Sequence, residues 1–183
     1  MIEIKPPQDI RDKLMLVRSD DPILHNEVEN FDFQNPQMDA EELMVSLAET
    51  MVENKGLGLS APQCGLSLRV FTVGNPLEPE SVMCFFNPKV THQSHDESIM
   101  LEGCLSFPDL FLKIKRSNEV RIRYQDVKGE WNSATFGGLS AHCILHEIDH
   151  LDGVVFTERA SKFHMEKGKR KMKKYRKMRE KRT

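Results

Sequence analysis

Residues 137–153 read GGLSAHCILHEIDHLDG, and this stretch predicts the central helix of the fold. The helix is expected over 138–152, beginning near Gly138 or Ser140 and ending at Gly153, because glycine favours the turn that closes a helix. Four apolar or small side chains are expected to pack it against the rest of the protein: Leu139, Cys143, Ile144 and Leu151.

Within this helix, His146 and His150 are four residues apart, so their side chains leave one face a turn apart. Two imidazoles at that separation can bind one divalent metal, and Glu147 beside them can move protons for a metal-bound water. The alternative is a pair of half-buried histidines beside an exposed Glu147. The metal site is favoured because unpaired polar groups in the middle of an apolar helix cost free energy of desolvation.

The third ligand decides which reaction the site supports. The extended form of the H-E-x-x-H motif needs a third histidine where this chain has Phe156, and Glu158 lies too close to be the glutamate of a plain peptidase. Upstream, Cys104 would complete a Cys-His-His set with one position open for water. Gly103 and Pro108 indicate an irregular turn around it. The other three thiols are interpreted as small packing residues: Cys64, Cys84 and Cys143.

The rest of the chain predicts an α+β fold, in which antiparallel sheets pack around the metal-binding helix. A first helix is expected over 39–55, capped by Asp39 and stopped by Gly56. Strands are expected at 69–73, 82–87, 119–125 and 131–136, the last two joined by a hairpin turn, and loops near 19–38, 74–81 and 91–98.

Composition fits a globular protein of 183 residues with 39% hydrophobic and 30% charged residues. No apolar run approaches the roughly 20 residues of a membrane span, and the charged start lacks the apolar core of a signal peptide. We therefore expect a cytoplasmic protein with reduced thiols and no membrane partner.

Charge is concentrated at the C-terminal end. Residues 162–183 contain 12 Lys and Arg against two acidic residues, a net of +10, whereas the remainder contains 14 basic and 26 acidic residues, a net of −12. We expect a catalytic domain over 1–161 and a basic helix or tail over 162–183. The tail is either a solubilising segment or a contact for RNA phosphates.

Three motifs in order resemble the signatures of the peptide deformylases: GLGLSAPQ (56–63), EGCLS (102–106) and HEIDH (146–150). The resemblance covers roughly residues 22–156. It implies an α+β metallohydrolase that removes the formyl group from the N-terminal N-formylmethionine of nascent polypeptides. The metal in this family is typically Fe(II), and zinc, nickel or cobalt can occupy the site.

By the same resemblance, Glu147 accepts a proton from the attacking water and passes it to the leaving amine. The side-chain amide of Gln63 and the backbone N–H of Leu105 stabilise the negative oxygen of the intermediate. The implied metal ligands are Cys104, His146 and His150, with water in the fourth position.

Further residues are expected to bind the substrate. Gly56 and Gly58 allow a close approach of an extended peptide. The remaining expected contacts, several of them in a methionine pocket, are Met100, Glu102, Gly103, Leu139, His142 and Cys143. The chain departs from the family at Ser60, where alanine is usual, at Leu145, where glutamine is common, and at His142, where the residue is usually aliphatic. His142 is either a surface residue at the pocket rim or a polar part of the pocket.

The resemblance also implies a monomer whose basic tail binds the ribosome, as a basic C-terminal helix does in bacterial members. Two other classes stay open. A zinc endopeptidase would tolerate Cys104→Ala, and a non-catalytic ribosome- or RNA-binding relative would lack Glu147 or a ligand, whereas this chain has both.

Overall fold

The computed structural model of the chain describes residues 14–181. Helix α1 spans Ala40–Glu53, and the Asp39 carboxylate caps it by accepting hydrogen bonds from the N–H groups of Glu41 and Glu42. The predicted helix and its cap are confirmed. The predicted stop is displaced by one residue, since Lys55 rather than Gly56 has the left-handed backbone, with φ 57°.

In the described part of the chain, seven strands form two antiparallel sheets: β1 Gly58–Ser60, β2 Val70–Val73, β3 Met83–Gln93, β4 Glu97–Cys104, β5 Phe107–Ser117, β6 Glu119–Gln125 and β7 Trp131–Gly137. The larger sheet has the order β1-β2-β3-β6-β7, and β4 pairs with β5 alone. All four predicted strands are confirmed, and so is the β6–β7 hairpin. The predicted loop at 91–98 is wrong at both ends, because β3 continues to Gln93 and β4 begins at Glu97.

The β4–β5 hairpin carries the middle motif of the chain and was not predicted as a pair of strands. Its pairing register shifts between Gly103 and Cys104, so that Cys104 ends β4 opposite Phe107. The expected irregularity beside Cys104 is therefore a bulge at a strand end. The bulge re-aims the thiol relative to the regular ladder.

Helix α2 spans Gly138–Leu151 and is the centre of the molecule, with ten of its fourteen residues buried. Ile144 and Leu151 pack in the core as predicted, whereas Leu139 is 56% exposed. Leu139 lies in the first turn, which borders a cavity instead of the sheet. Gly153 ends the helix with φ 71°, and a Cβ there would come within 2.7 Å of the Asn26 backbone, so only glycine fits.

After the short helix α3, Phe156–Arg159, the basic segment forms helix α4, Lys162–Glu180, which confirms a helical tail. Gly168 lets α4 approach β5, since a Cβ there would lie 2.9 Å from the carbonyl oxygen of Phe111. Met165 and Met172 pack on the apolar cluster of β5. The other large apolar side chains of α4 are largely exposed: Phe163, Tyr175 and Met178.

The remaining elements among the described residues are three short 3-10 helices: Pro22–His25, Ala61–Cys64 and Pro79–Ser81. No helix within residues 14–181 is long and apolar enough to cross a membrane.

Candidate active site

Cys104, His146 and His150 converge where the end of β4 meets α2. Their ligand atoms all lie within 4.8 Å of one another, and no other such cluster occurs in the part of the chain that the structure covers. The Cys104 Sγ is 3.3 Å from the His150 Nε2. A thiolate and two neutral imidazoles in this proximity fit a divalent transition metal and leave a coordination position for water.

A buried carboxylate orients the first histidine. Glu102 Oε2 lies 2.9 Å from His146 Nδ1, which leaves the Nε2 of His146 for the metal. Arg116 donates two hydrogen bonds to the same carboxylate, at 2.6 and 3.0 Å. Burial alone would raise the pKa of Glu102, but the hydrogen bonds from His146 and Arg116 outweigh it and lower that pKa to about 2. Glu102 is therefore ionised at neutral pH.

Arg116 extends this network to the far side of α2. Its guanidinium donates to Asp149 Oδ2 at 2.8 Å, and Asp149 also accepts two hydrogen bonds from Arg159. Sequence reasoning missed Arg116. A signal was present, since Leu110, Leu112 and Ile114 alternate into the core in β5 and Arg116 occupies the next inward position. A buried cation flanked by carboxylates stabilises the site only as a complete set, because removing one member leaves an uncompensated charge.

Glu147 lies in the same pocket with only 4% of its surface exposed. Burial raises its pKa to about 7. Its Oε2 atom has no hydrogen-bond partner within residues 14–181. Gly58 lies against this carboxylate, and a Cβ at residue 58 would overlap it. The arrangement provides a carboxylate that can gain or lose a proton near neutral pH.

Ser60 orients the Gln63 amide. The Gln63 Oε1 accepts hydrogen bonds from the N–H and from the hydroxyl of Ser60, both at 3.0 Å. The amide nitrogen is thereby turned to the opposite side, where it donates to the Cys104 Sγ at 3.3 Å. Ser60 departs from the family, in which alanine is usual, and its role beside Gln63 was not predicted from the sequence.

A cavity of about 560 Å³ opens beside these groups, between α2, β1 and the β4–β5 hairpin. All predicted site residues except His150 line it: Gly56, Gly58, Gln63, Met100, Glu102, Gly103, Cys104, Leu105, Leu139, His142, Cys143, His146 and Glu147. Gly56 lies against Leu105, because a Cβ on Gly56 would be 2.9 Å from the Leu105 side chain. The cavity is deep enough to receive a side chain and leads directly to the cluster of donors.

The structure shows the surroundings of His142 and Leu145, two residues at which the chain departs from the family. His142 is 2% exposed, so the expectation of a surface histidine at the rim is wrong; the ring lies inside the wall between α2 and β4. Leu145 is buried in the core cluster between α2 and the larger sheet, where an apolar side chain packs without needing a hydrogen-bond partner.

Comparisons with known proteins agree with this geometry. The sequence model of the polypeptide deformylase family matches residues 13–166. The peptide deformylase of Salinibacter ruber is 38% identical over 135 residues, which cover 67% of this chain and 69% of that protein. The peptide deformylase of Christiangramia forsetii is 32% identical over 162 residues, covering 81% of this chain and 82% of that protein.

Solved structures give the same result. The peptide deformylase of Plasmodium falciparum superimposes with a TM-score of 0.80 at 30% identity, covering 87% of this chain and 94% of that one. The Met-Ala-Ser-bound peptide deformylase of Acinetobacter baumannii superimposes with a TM-score of 0.72 at 29% identity, covering 80% and 97%.

Proposed function

The chain belongs to the peptide deformylase family, and we propose that Cys104, His146 and His150 hold its metal while Glu147 moves the proton. Its function is to remove the formyl group from the N-formylmethionine of nascent peptides. The observation that carries the proposed roles is the convergence of three donors beside a buried carboxylate at the cavity.

A zinc endopeptidase would need a glutamate downstream of the two histidines as its third metal ligand. Glu158, the one downstream glutamate considered for it, accepts a hydrogen bond from the N–H of Val155 at 3.3 Å. It is absent from the donor cluster, which is completed by Cys104. This supports hydrolysis of a formyl group over cleavage of internal peptide bonds.

A divalent metal at this site supplies an activated water at neutral pH. Glu147 accepts the proton as the water oxygen bonds to the formyl carbon, and it returns a proton to the nitrogen as the C–N bond breaks. Formate and a free amine result. The Gln63 Nε2 and the backbone N–H of Leu105 donate to the oxygen that becomes negative, and Ser60 keeps the Gln63 amide in the orientation this requires.

The cavity supports binding of an extended peptide whose first side chain enters between α2 and β4. Leu105 and Glu147 occupy the space that a Cβ on Gly56 or Gly58 would need. Both glycines line the cavity beside β1, where an extended substrate backbone would lie. The apolar wall of Met100, Leu139 and Cys143 suits methionine. In the Acinetobacter baumannii structure the bound peptide is Met-Ala-Ser, and we propose the formylated equivalent as a substrate here.

We propose Fe(II) as the resident metal, with zinc, nickel or cobalt able to replace it. One thiolate and two imidazoles suit each of these ions, so the donor set selects the class of metal and not the element. Metal analysis of protein purified without oxygen identifies the ion.

Formyl-Met-Ala-Ser tests the function directly. Protein prepared anaerobically with Fe(II) should release one formate for each free amine formed, because a single C–N bond breaks. Acetyl-Met-Ala-Ser is the matched control, since its extra methyl group blocks approach to the carbon. Absence of formate from metal-loaded protein would contradict the proposal.

We further propose that the protein is a cytoplasmic monomer and that α4 binds ribosomal RNA, which would hold the active site near nascent chains. Lys173, Lys174 and Lys177 lie on one exposed face of α4 and form no ion pair within residues 14–181. Arg176 and Arg179, by contrast, contact Asp109 and fasten the helix to the body. Unpaired cations along one helix face suit phosphates, which they bind in a salt-dependent way.

Reversing the three charges should weaken ribosome binding. We expect the triple variant Lys173→Glu, Lys174→Glu, Lys177→Glu to co-sediment with ribosomes at least about tenfold less at low salt. The matched control changes the charge equally on the body: Lys89→Glu, Arg121→Glu and Lys128→Glu. Formyl-Met-Ala-Ser hydrolysis, measured in parallel, reports folding. Equal co-sedimentation of both triple variants would contradict a role for α4.

A further inference from the structure

The side-chain pocket has a wall that is mostly apolar but contains one buried polar ring. On α2, Leu139, His142, Cys143 and His146 recur at helical spacing and form one face. On β4, Met100 and Glu102 point to the same side, two residues apart. Among the residues that line the space between these elements, His142 is the polar one that neither the metal site nor the proposed mechanism uses.

Two polar groups face the nitrogens of the His142 ring, and of the two nitrogens only Nε2 makes a hydrogen bond among the described residues. Its Nε2 is 3.1 Å from the hydroxyl oxygen of Ser98, and its Nδ1 is 3.5 Å from Glu102 Oε1. Because Glu102 is a carboxylate, it favours the proton on Nδ1, so that Nε2 accepts from the Ser98 hydroxyl. Burial lowers the pKa of His142, which keeps the ring neutral.

His142 lines the cavity although only 2% of the residue is exposed. Because both nitrogens are directed at protein groups, the ring atoms left to border the cavity are carbons. A thioether sulfur is polarisable, and its contacts at the edge of an aromatic ring are more favourable than those of a methylene group. An aliphatic residue at this position would contact sulfur and methylene alike. Discrimination between sulfur and methylene would therefore come from the His142 ring and not from the size of the pocket.

We propose that His142 is a specificity-determining residue that makes the pocket prefer the methionine thioether over an aliphatic side chain of equal length. The inference rests on the proposed function of the site. The energy of sulfur–ring contacts corresponds to a preference of about two- to tenfold.

The test compares formyl-Met-Ala-Ser with formyl-norleucyl-Ala-Ser, in which a methylene replaces the sulfur. For each protein the measured quantity is the ratio of kcat/KM for the methionine peptide to kcat/KM for the norleucine peptide. We expect this ratio to fall about two- to tenfold from wild type to His142→Ile. Both substrates are assayed on one preparation, so a misfolded fraction cancels, and His142→Leu serves the same purpose if the isoleucine variant is insoluble.

His92→Ile is the matched control, because it makes the same replacement at an exposed histidine of β3 that does not line the cavity; its ratio should equal that of the wild type. A ratio unchanged in both His142 variants would overturn the specificity role. Failure of the proposed function has a different signature, since the wild-type protein would then release no formate from either peptide.

Discussion

Replacing Glu147 with glutamine should lower kcat for formyl-Met-Ala-Ser by about 10²- to 10⁴-fold, the range that general acid–base catalysis contributes. Glutamine has nearly the same shape, so the packing against Gly58 survives, but an amide cannot accept and return a proton. The expected loss is in kcat more than in KM, since Glu147 acts on the water and the leaving amine instead of on the bound peptide. Steady-state kinetics of the Fe(II)-loaded variant measures it.

Two controls make this result specific. The metal content of Glu147→Gln should equal that of the wild type, because Glu147 is absent from the donor cluster. Glu158→Gln removes a carboxylate that bonds to the Val155 N–H outside the cavity, and its kcat should stay within about twofold, as for most surface changes. A Glu147→Gln variant that kept a tenth or more of the wild-type kcat would show that another group moves the proton.

The parts of the fold that could be predicted are those with a strong local period. Helix α2 and strands β6 and β7 show helical or alternating patterns next to clear turn signals, and the structure reproduces them within one residue. Strand β4 could not be recognised in the same way. Its inward positions include Ser98 and Glu102, and its outward positions include Ile99 and Leu101, so polar and apolar residues do not alternate with the strand period. The burial of β4 depends on partners far away in sequence.

The same distinction applies to the site: residues positioned by one local element could be predicted, and residues that depend on distant partners could not. The relative positions of His146, Glu147 and His150 follow from the geometry of one helix. Cys104 was predicted as a ligand because this helix supplies only two of the three protein ligands that a catalytic metal site needs. The supporting residues required the tertiary structure. Arg116 meets Glu102 across a hairpin and Asp149 from a different element, and Ser98 meets His142 over 44 residues. Hydropathy assigns such residues to the surface, because it scores each side chain without its partner.

Replacing Cys104 with alanine should remove both the metal and the activity. Two imidazoles remain, and they hold a divalent ion much more weakly than three protein ligands do. Loss of a group that only hydrogen-bonds to a ligand costs about 10- to 100-fold in metal affinity. Loss of a ligand itself should therefore cost at least about 100-fold. Metal per chain after dialysis against a mild chelator and formate release from formyl-Met-Ala-Ser are the measurements.

The control for Cys104→Ala is Cys84→Ala, which removes a thiol from β3 that neither lines the cavity nor belongs to the donor cluster. Its metal content should match the wild type. Retention of metal by Cys104→Ala would mean that another donor completes the site, as in an endopeptidase. Glu158 would then have to be reconsidered as the third metal ligand. Joint loss of metal and formate release would instead tie deformylation to the thiolate, because the helix that carries both histidines and Glu147 is unchanged in that variant.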